Sequence, residues 1–201
     1  MKTLNAYGDK IKSDWNHTMT LDLVKECNLI KKLKEKYPLT WRIGGLGNEN
    51  TIIADEFHIN SQLTTILSLI GKEFRNKTIL DLGCGSNGDS FDNKISLKTR
   101  SFEPWLCRAL YELNIKCMGI DCGDLDNEKF EHCGYFNLLG PDSLGFLQDS
   151  SVDVAHARLL YSSPQLEKLN RGNSKSLHEY LLPQLERIVK PEGFFVYTPN
   201  T

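Results

Sequence analysis

KTILDLGCGSNGDS, residues 77–90, is the stretch whose reading decides the fold. Ile79, Leu80 and Leu82 form the short apolar run of a strand buried on both faces. Gly83 and Gly85 follow at once, where a Cβ would obstruct a sharp turn and the close approach of a ligand to the backbone. Open α/β sheets bind ligands beyond the carboxyl ends of their strands, where the topology reverses, so the bend is the first candidate site. Gly83, Gly85 and Gly88 satisfy GxGxxG, but two features argue against a dinucleotide fingerprint. Asp81 precedes the first glycine by two residues, and its carboxylate repels a pyrophosphate while suiting a positively charged ligand. The segment that follows, DSFDNKISLKTR (89–100), is polar and aperiodic, so no helix N-terminus opens at the third glycine to receive phosphate.

Downstream of this bend, strand and helix signals alternate. The strand expectations are TILDLG (78–83), KCMGID (116–121), YFNLL (135–139), VDVAHA (152–157) and GFFVYT (193–198). Between them, 102–113 puts Phe102, Leu106, Ala109, Leu110 and Leu113 on one helical face, with Ser101 as its cap. A second helix, 177–189, opens with the capping box Ser176 and Glu179; Pro183 inside it is expected to kink it or displace its start. This order predicts an α/β fold with a mostly parallel, doubly wound sheet covered on both faces, a three-layer α/β/α arrangement.

Upstream, the pattern is mostly helical. Leu23, Cys27, Ile30 and Leu33 predict a helix over 20–36, capped by Thr20 and stopped by Pro38. WRIGGLGNENTIIAD (41–55) carries two short β-like runs around Gly44, Gly45 and Gly47, a hairpin or a glycine-rich loop. Leu63, Ile66, Leu67, Ile70 and Phe74 predict a helix over 61–74. The chain therefore divides into an N-terminal, mostly helical extension or lid, 1–75, and a ligand-binding α/β domain, 76–201.

Composition narrows the class. The chain has 201 residues, 40% hydrophobic and 25% charged, with a formal charge of -2, so no global field draws it to nucleic acid or an anionic membrane. Lys31, Lys32, Lys34 and Lys36 read as a solvated helix face. No run of eighteen apolar residues predicts a membrane span, and MKTLNAYGDKIKSDW lacks the apolar segment of a signal peptide. Cys27, Cys84, Cys107, Cys117, Cys122 and Cys133 form no CxxC pair and read as reduced core thiols rather than metal ligands, which points to a cytoplasmic protein without a metal.

DLGCG (81–85) resembles the first motif of the class I, Rossmann-like S-adenosylmethionine-dependent methyltransferases, hydrophobic-hydrophobic-Asp-hydrophobic-Gly-x-Gly. CMGID (117–121) is similar to the family's second motif, and YFNLL to its third-strand segment. FLQDSSVDVAHARLL (146–160) looks like its fourth strand with the entrance turn, and LLPQLERIVKPEGFFVYT (181–198) like its last helix and fifth strand. The likeness spans about residues 77–198 in order and implies an enzyme that uses S-adenosylmethionine as cofactor. It implies that Asp81 and the backbone of Gly83, Cys84 and Gly85 hold the amino-acid end. It puts Asp121, followed by Cys122, on the ribose hydroxyls, and Asn137 and Leu138 beside the adenine. Arg158 and Tyr161, just after the fourth strand, become candidates on the acceptor side.

The chain departs from the family pattern in the longer polar insert at 86–100, in Asn137 where Asp is usual, and in lacking residues after the fifth strand for the closing C-terminal hairpin. No NPPY-like tetrapeptide follows the fourth strand, which argues against an adenine- or glutamine-amide methylase. For several residues a second role stays open. Asp121 can cap a helix, Asp153 reads as a structural acid, and His156 reads as a satisfied core histidine before a base. No catalytic residue is assigned. The expected activity is methyl transfer to an acceptor that is a small molecule before a protein or tRNA. The alternative is a methyltransferase-fold binding or scaffold subunit without turnover; a nicotinamide-dependent oxidoreductase is disfavoured by Asp81.

Overall fold

A computed structural model describes residues 1–5, 13–37, 48–86, 103–157, 160 and 176–197. Its centre is a six-stranded sheet built from β1 (Lys2–Asn5), β2 (Thr78–Leu82), β3 (Lys116–Ile120), β4 (Glu131–Cys133), β5 (Val152–Ala157) and β6 (Val189–Tyr197). All neighbours pair in parallel, in the order β1-β6-β5-β2-β3-β4. From β2 the chain builds outward to β3 and β4, then crosses back to β5 and builds outward to β6. The order reverses between β2 and β5, and a crevice opens at such a point.

Helices cover both faces, and the strands' alternation sorts the side chains between them. Ile79, Val154 and Val196 join one core with α1 (His17–Glu26), α2 (Leu29–Lys36), α3 (Asn48–Ile70) and α4 (Trp105–Glu112), through residues such as Leu33, Leu63, Ile66 and Leu110. Leu80, Leu82, Ala155 and Phe195 point the other way, onto Leu177, Leu181, Leu185 and Ile188 of α5 (Leu177–Ile188). The N-terminal segment thus supplies one strand to the sheet and three helices to its cover. β1 pairs along β6, on the edge away from β5. Among the described residues no helix is long and apolar enough to cross a membrane.

The boundaries differ from the sequence expectation in instructive places. The helix expected over 20–36 is two helices, broken where Asn28 adopts φ 49°. Its cap is Asn16, whose side chain accepts from the Met19 N–H; Thr20 is buried and accepts from the Trp15 indole at 2.9 Å. The β-like run at 51–54 is helical, since α3 begins at Asn48 and continues into a 3-10 turn over Gly71–Asn76. Residues 41–47, Ser101 and Phe102 lie outside the described residues. α4 spans only Trp105–Glu112. α5 starts at Leu177 under the predicted Ser176–Glu179 capping box and continues through Pro183, so the cap rather than the proline sets its start.

The third-strand expectation is corrected. YFNLL (135–139) is not a strand; β4 is the preceding Glu131–Cys133. Tyr135, at φ 52°, leaves the extended conformation, and Asn137 turns its Oδ1 onto the Leu139 N–H at 2.9 Å, a local side-chain turn in place of a ladder.

One feature of the core has no sequence signature. Arg108 on α4 is buried between Glu103 and Glu128, its Nε donating to both Glu128 oxygens at 3.0 and 3.1 Å. The guanidinium also lies 4.7 Å from the ring centroids of Tyr37 and Trp105. It joins α2, α4 and the segment after β3 in one cluster, and truncating it would leave two buried carboxylates without that partner.

Candidate functional site

The bend after β2 is built by backbone geometry that only glycine adopts without strain. Gly83 and Gly85 have φ 67° and 96°. A Cβ on Gly83 would lie 2.6 Å from the Leu160 Cδ1. The turn folds over the end of β3: the N–H groups of Gly83 and Cys84 both donate to the Ile120 carbonyl, at 2.7 and 3.2 Å. Gly119 lies beneath it, and a Cβ there would meet the Phe130 ring at 2.7 Å and the Cys84 sulfur at 2.8 Å. Three glycines therefore bring the turn, the strand end and α4 into close contact.

Asp121 stands just beyond β3 and ties the turn down. Its Oδ2 accepts from the Gly85 N–H at 3.0 Å and its Oδ1 from the Gly123 N–H at 2.9 Å. Burial raises its carboxyl above the ordinary carboxylate range, and the nearby Asp81 charge adds to this, against the two backbone donors, which lower it. The side chain is only half-buried in the static structure. A carboxylate offers about four lone-pair sites; the two backbone donors and the Cys122 thiol take three and leave one open.

Asp81 has a different setting. It is 4% exposed, and its oxygens are engaged inside the protein: Oδ1 lies 2.7 Å from the Nδ1 of His156, and Oδ2 accepts from the Cys107 thiol at 3.6 Å. His156 is its register partner on β5, directly across the reversal of strand order, and is itself buried. Asp81 and Asp121 lie on adjacent strand ends, because Asp81 pairs with Gly119, two residues before Asp121, and alternate residues share a face. Among the described residues, neither carboxylate forms an ion pair with a lysine or arginine.

The thiols around the bend are held as neutral groups. Burial pushes Cys84 up to about 12, and burial followed by the Asp121 charge pushes Cys122 up to about 12. Burial likewise raises Cys107 well above its ordinary value. None is a thiolate near neutral pH, which removes them as nucleophiles. No group of three or more His, Cys, Asp or Glu among the described residues is placed to hold a metal.

Asn137 is exposed and Leu138 buried. They follow β4 on the segment that docks beside Asp121, where the Phe136 N–H donates to the Asp121 carbonyl at 2.9 Å. The structure thus gathers Asp81, Gly83, Cys84, Gly85, Asp121 and Cys122 at the ends of two neighbouring strands, with Asn137 and Leu138 just beyond the third. Arg158, Tyr161 and Gly88 lie outside the described residues. The Asp81–His156 pair was not read from the sequence; its only linear signal is a polar residue next to the last position of each of two mostly apolar strands.

Asp153, the acid read as structural, sits at the opposite, amino end of β5. It accepts from the Thr78 N–H at 2.9 Å and from the Lys190 ammonium at 2.8 Å, with Lys77 at 3.5 Å. No protein-family model, no curated protein and no solved structure matches this chain.

Proposed function

We propose that this protein is a Rossmann-like methyltransferase that binds S-adenosylmethionine in the crevice beside Gly83–Gly85 and passes its methyl group to a small-molecule acceptor. The observation that carries the reading is Asp121. It is a half-open carboxylate at the end of β3, already aligned by the Gly85 and Gly123 amides, with one acceptor site open to a ribose hydroxyl and a second that the Cys122 thiol, a weak donor, would yield. Its place next to a left-handed glycine bend at the reversal of strand order is where an adenosine is expected in such a sheet.

The residues fit the ligand unevenly. Asp121 suits the ribose, and the glycine bend admits the amino-acid end to bare backbone. Buried Leu138 offers an apolar neighbour for the adenine. Asp81 does not meet the ammonium directly, since its oxygens serve His156 and Cys107. Its negative charge still favours a cationic ligand nearby.

When bound, the sulfonium supplies an activated methyl group. The chain then has to hold donor and acceptor in line, and orientation of this kind supplies several kcal/mol. Tethering the turn to β3 through Ile120 and Asp121 fixes that geometry on strands rather than on a free loop. Arg158 and Tyr161 remain acceptor-side candidates by sequence position. The small-molecule preference is supported by the formal charge of -2 and by the lysine-rich α2, where Lys31, Lys34 and Lys36 each face a glutamate.

A second reading, a ligand-binding or scaffold subunit without turnover, is favoured by Asn137, which is exposed and bonded to its own backbone rather than aimed at a ligand. Isothermal titration with S-adenosylhomocysteine tests the site. The expected result is micromolar binding, weakened roughly a hundredfold by Asp121→Ala, the loss of two charge-assisted hydrogen bonds. No binding at millimolar ligand overturns the methyltransferase reading and leaves the scaffold.

A further inference from the structure

We infer that His156, held through Nδ1 by Asp81, is the group that takes a proton from the methyl acceptor, so that the acceptor atom is a heteroatom bearing hydrogen, an amine, hydroxyl or thiol. The inference rests on the proposed methyltransferase reading and goes beyond it by naming a catalytic residue and the class of acceptor.

Three observations carry it. First, the pair spans the reversal of strand order: Asp81 and His156 are register partners on β2 and β5, near the carboxyl ends of both strands. Second, the Nδ1 of His156 lies 2.7 Å from the Asp81 Oδ1. With Asp81 ionised the carboxylate can only accept, so Nδ1 would carry the hydrogen and the Nε2 lone pair would be left as the basic one. A carboxylate behind Nδ1 also stabilises the imidazolium once Nε2 is protonated, the division of labour of a base and its orienting acid. Third, packing does not require this pair. Its face of the sheet is otherwise filled by Ile79, Val154 and Val196, and a buried ion pair or its neutral form gives a core no more stability than apolar residues of similar volume.

The step balances as follows. The acceptor X–H bond breaks and its proton goes to Nε2. The lone pair of X forms the X–CH3 bond, and the electron pair of the broken C–S bond returns to sulfur, leaving a neutral thioether. Asp81 remains ionised throughout and acts as a positioning residue. A thioether or tertiary amine acceptor has no such proton and would leave the pair without a task.

The test uses the ligand's charge rather than turnover. The ring nitrogens of His156 are followed by nitrogen NMR across pH in the full chain, alone, with S-adenosylhomocysteine, and with S-adenosylmethionine. The two ligands differ by one positive charge on sulfur. A base facing the transferring methyl group titrates lower with S-adenosylmethionine by about one pH unit, the effect of a unit charge roughly 10 Å away at an effective dielectric near 20. The other titratable groups around the pair among the described residues, Asp81 against the ring and Cys107, Cys84 and Asp121 around Asp81, are common to both complexes and cancel in the comparison.

The His156→Gln variant assigns the signal. If it does not fold, single variants of His17, His58, His132 and His178 assign His156 by elimination. A His156 titration that is the same with both bound ligands overturns the inference and leaves the cofactor reading standing. Failure of both ligands to bind overturns the reading beneath it. An Nδ1-protonated tautomer at neutral pH together with a ligand-charge-dependent midpoint supports the inference.

Discussion

The two ends of the central strands treat their acids in opposite ways. At the amino end, Asp153 is surrounded by donors: Thr78 N–H, Lys190 and Lys77. Burial alone would raise its carboxyl, but Lys190, the Thr78 amide and Lys77 outweigh it and hold it below the ordinary value. At the carboxyl end, Asp121 is raised, and Asp81 adds negative charge where no lysine or arginine answers it among the described residues. One end uses its acid to join β2, β5 and β6. The other keeps two acids close together, at a cost in stability that a cationic ligand would offset. An acid met by lysines is a latch, and one held by neutral donors alone is an invitation to a cationic ligand.

The latch is the easier to break. Asp153→Ala removes a backbone partner from Thr78 and a counter-ion from Lys190, and should destabilise the fold by about 2–3 kcal/mol. Urea unfolding reads this directly, while S-adenosylhomocysteine affinity per folded molecule stays within about twofold. An affinity loss as large as that of Asp121→Ala would show that the two ends are not separable.

Glycines sharpen the same contrast. An alanine Cβ at Gly193 would lie 2.7 Å from the Asp153 carbonyl oxygen, a backbone atom with little room to move, and should cost about 2 kcal/mol or more without touching ligand binding. Gly83→Ala meets the flexible end of Leu160 and a positive φ, a cost of about 1–2 kcal/mol. That change also strains the bend proposed to hold the ligand, so titration should show weakened S-adenosylhomocysteine binding, which Gly193→Ala does not.

The smallest effect is the pH dependence of stability, where the two acids have opposite signs. A carboxyl lowered by folding contributes stability above its unfolded value and loses it as pH falls through its folded value. The deficit of Asp153→Asn at neutral pH should therefore shrink toward acid. A carboxyl raised by folding contributes stability below its unfolded value and loses it as pH rises through its folded value. Asp121→Asn should then gain relative to the parent at neutral pH, and the gain should vanish below the ordinary carboxylate range. Chemical denaturation of the ligand-free protein between pH 3 and 8 separates the two curves.

The local elements were legible wherever the chain carries its own signal. VDVAHA coincides with β5, TILDLG with β2 but for its final glycine, and Ser176 with Glu179 caps α5 as their spacing requires. Periods of two and of three to four residues follow from backbone geometry and need no tertiary partner. Signals failed where a weaker local option had tertiary support. Asn28 splits one predicted helix into two, and α3 draws the β-like 51–54 run into helix. Tyr135 ends a strand that the apolar letters of YFNLL had suggested.

What the sequence determined by itself was the alternation of strand and helix, the glycine bend after β2, and the presence of Asp81 and Asp121 on consecutive strands. Only the tertiary structure decided what those acids touch. Asp81 meets His156 because β5 lies beside β2, and Asp121 reaches Gly85 because the turn folds over β3. Residues 75 positions apart come within hydrogen-bond distance through sheet order alone, and neither spacing nor hydropathy encodes that order.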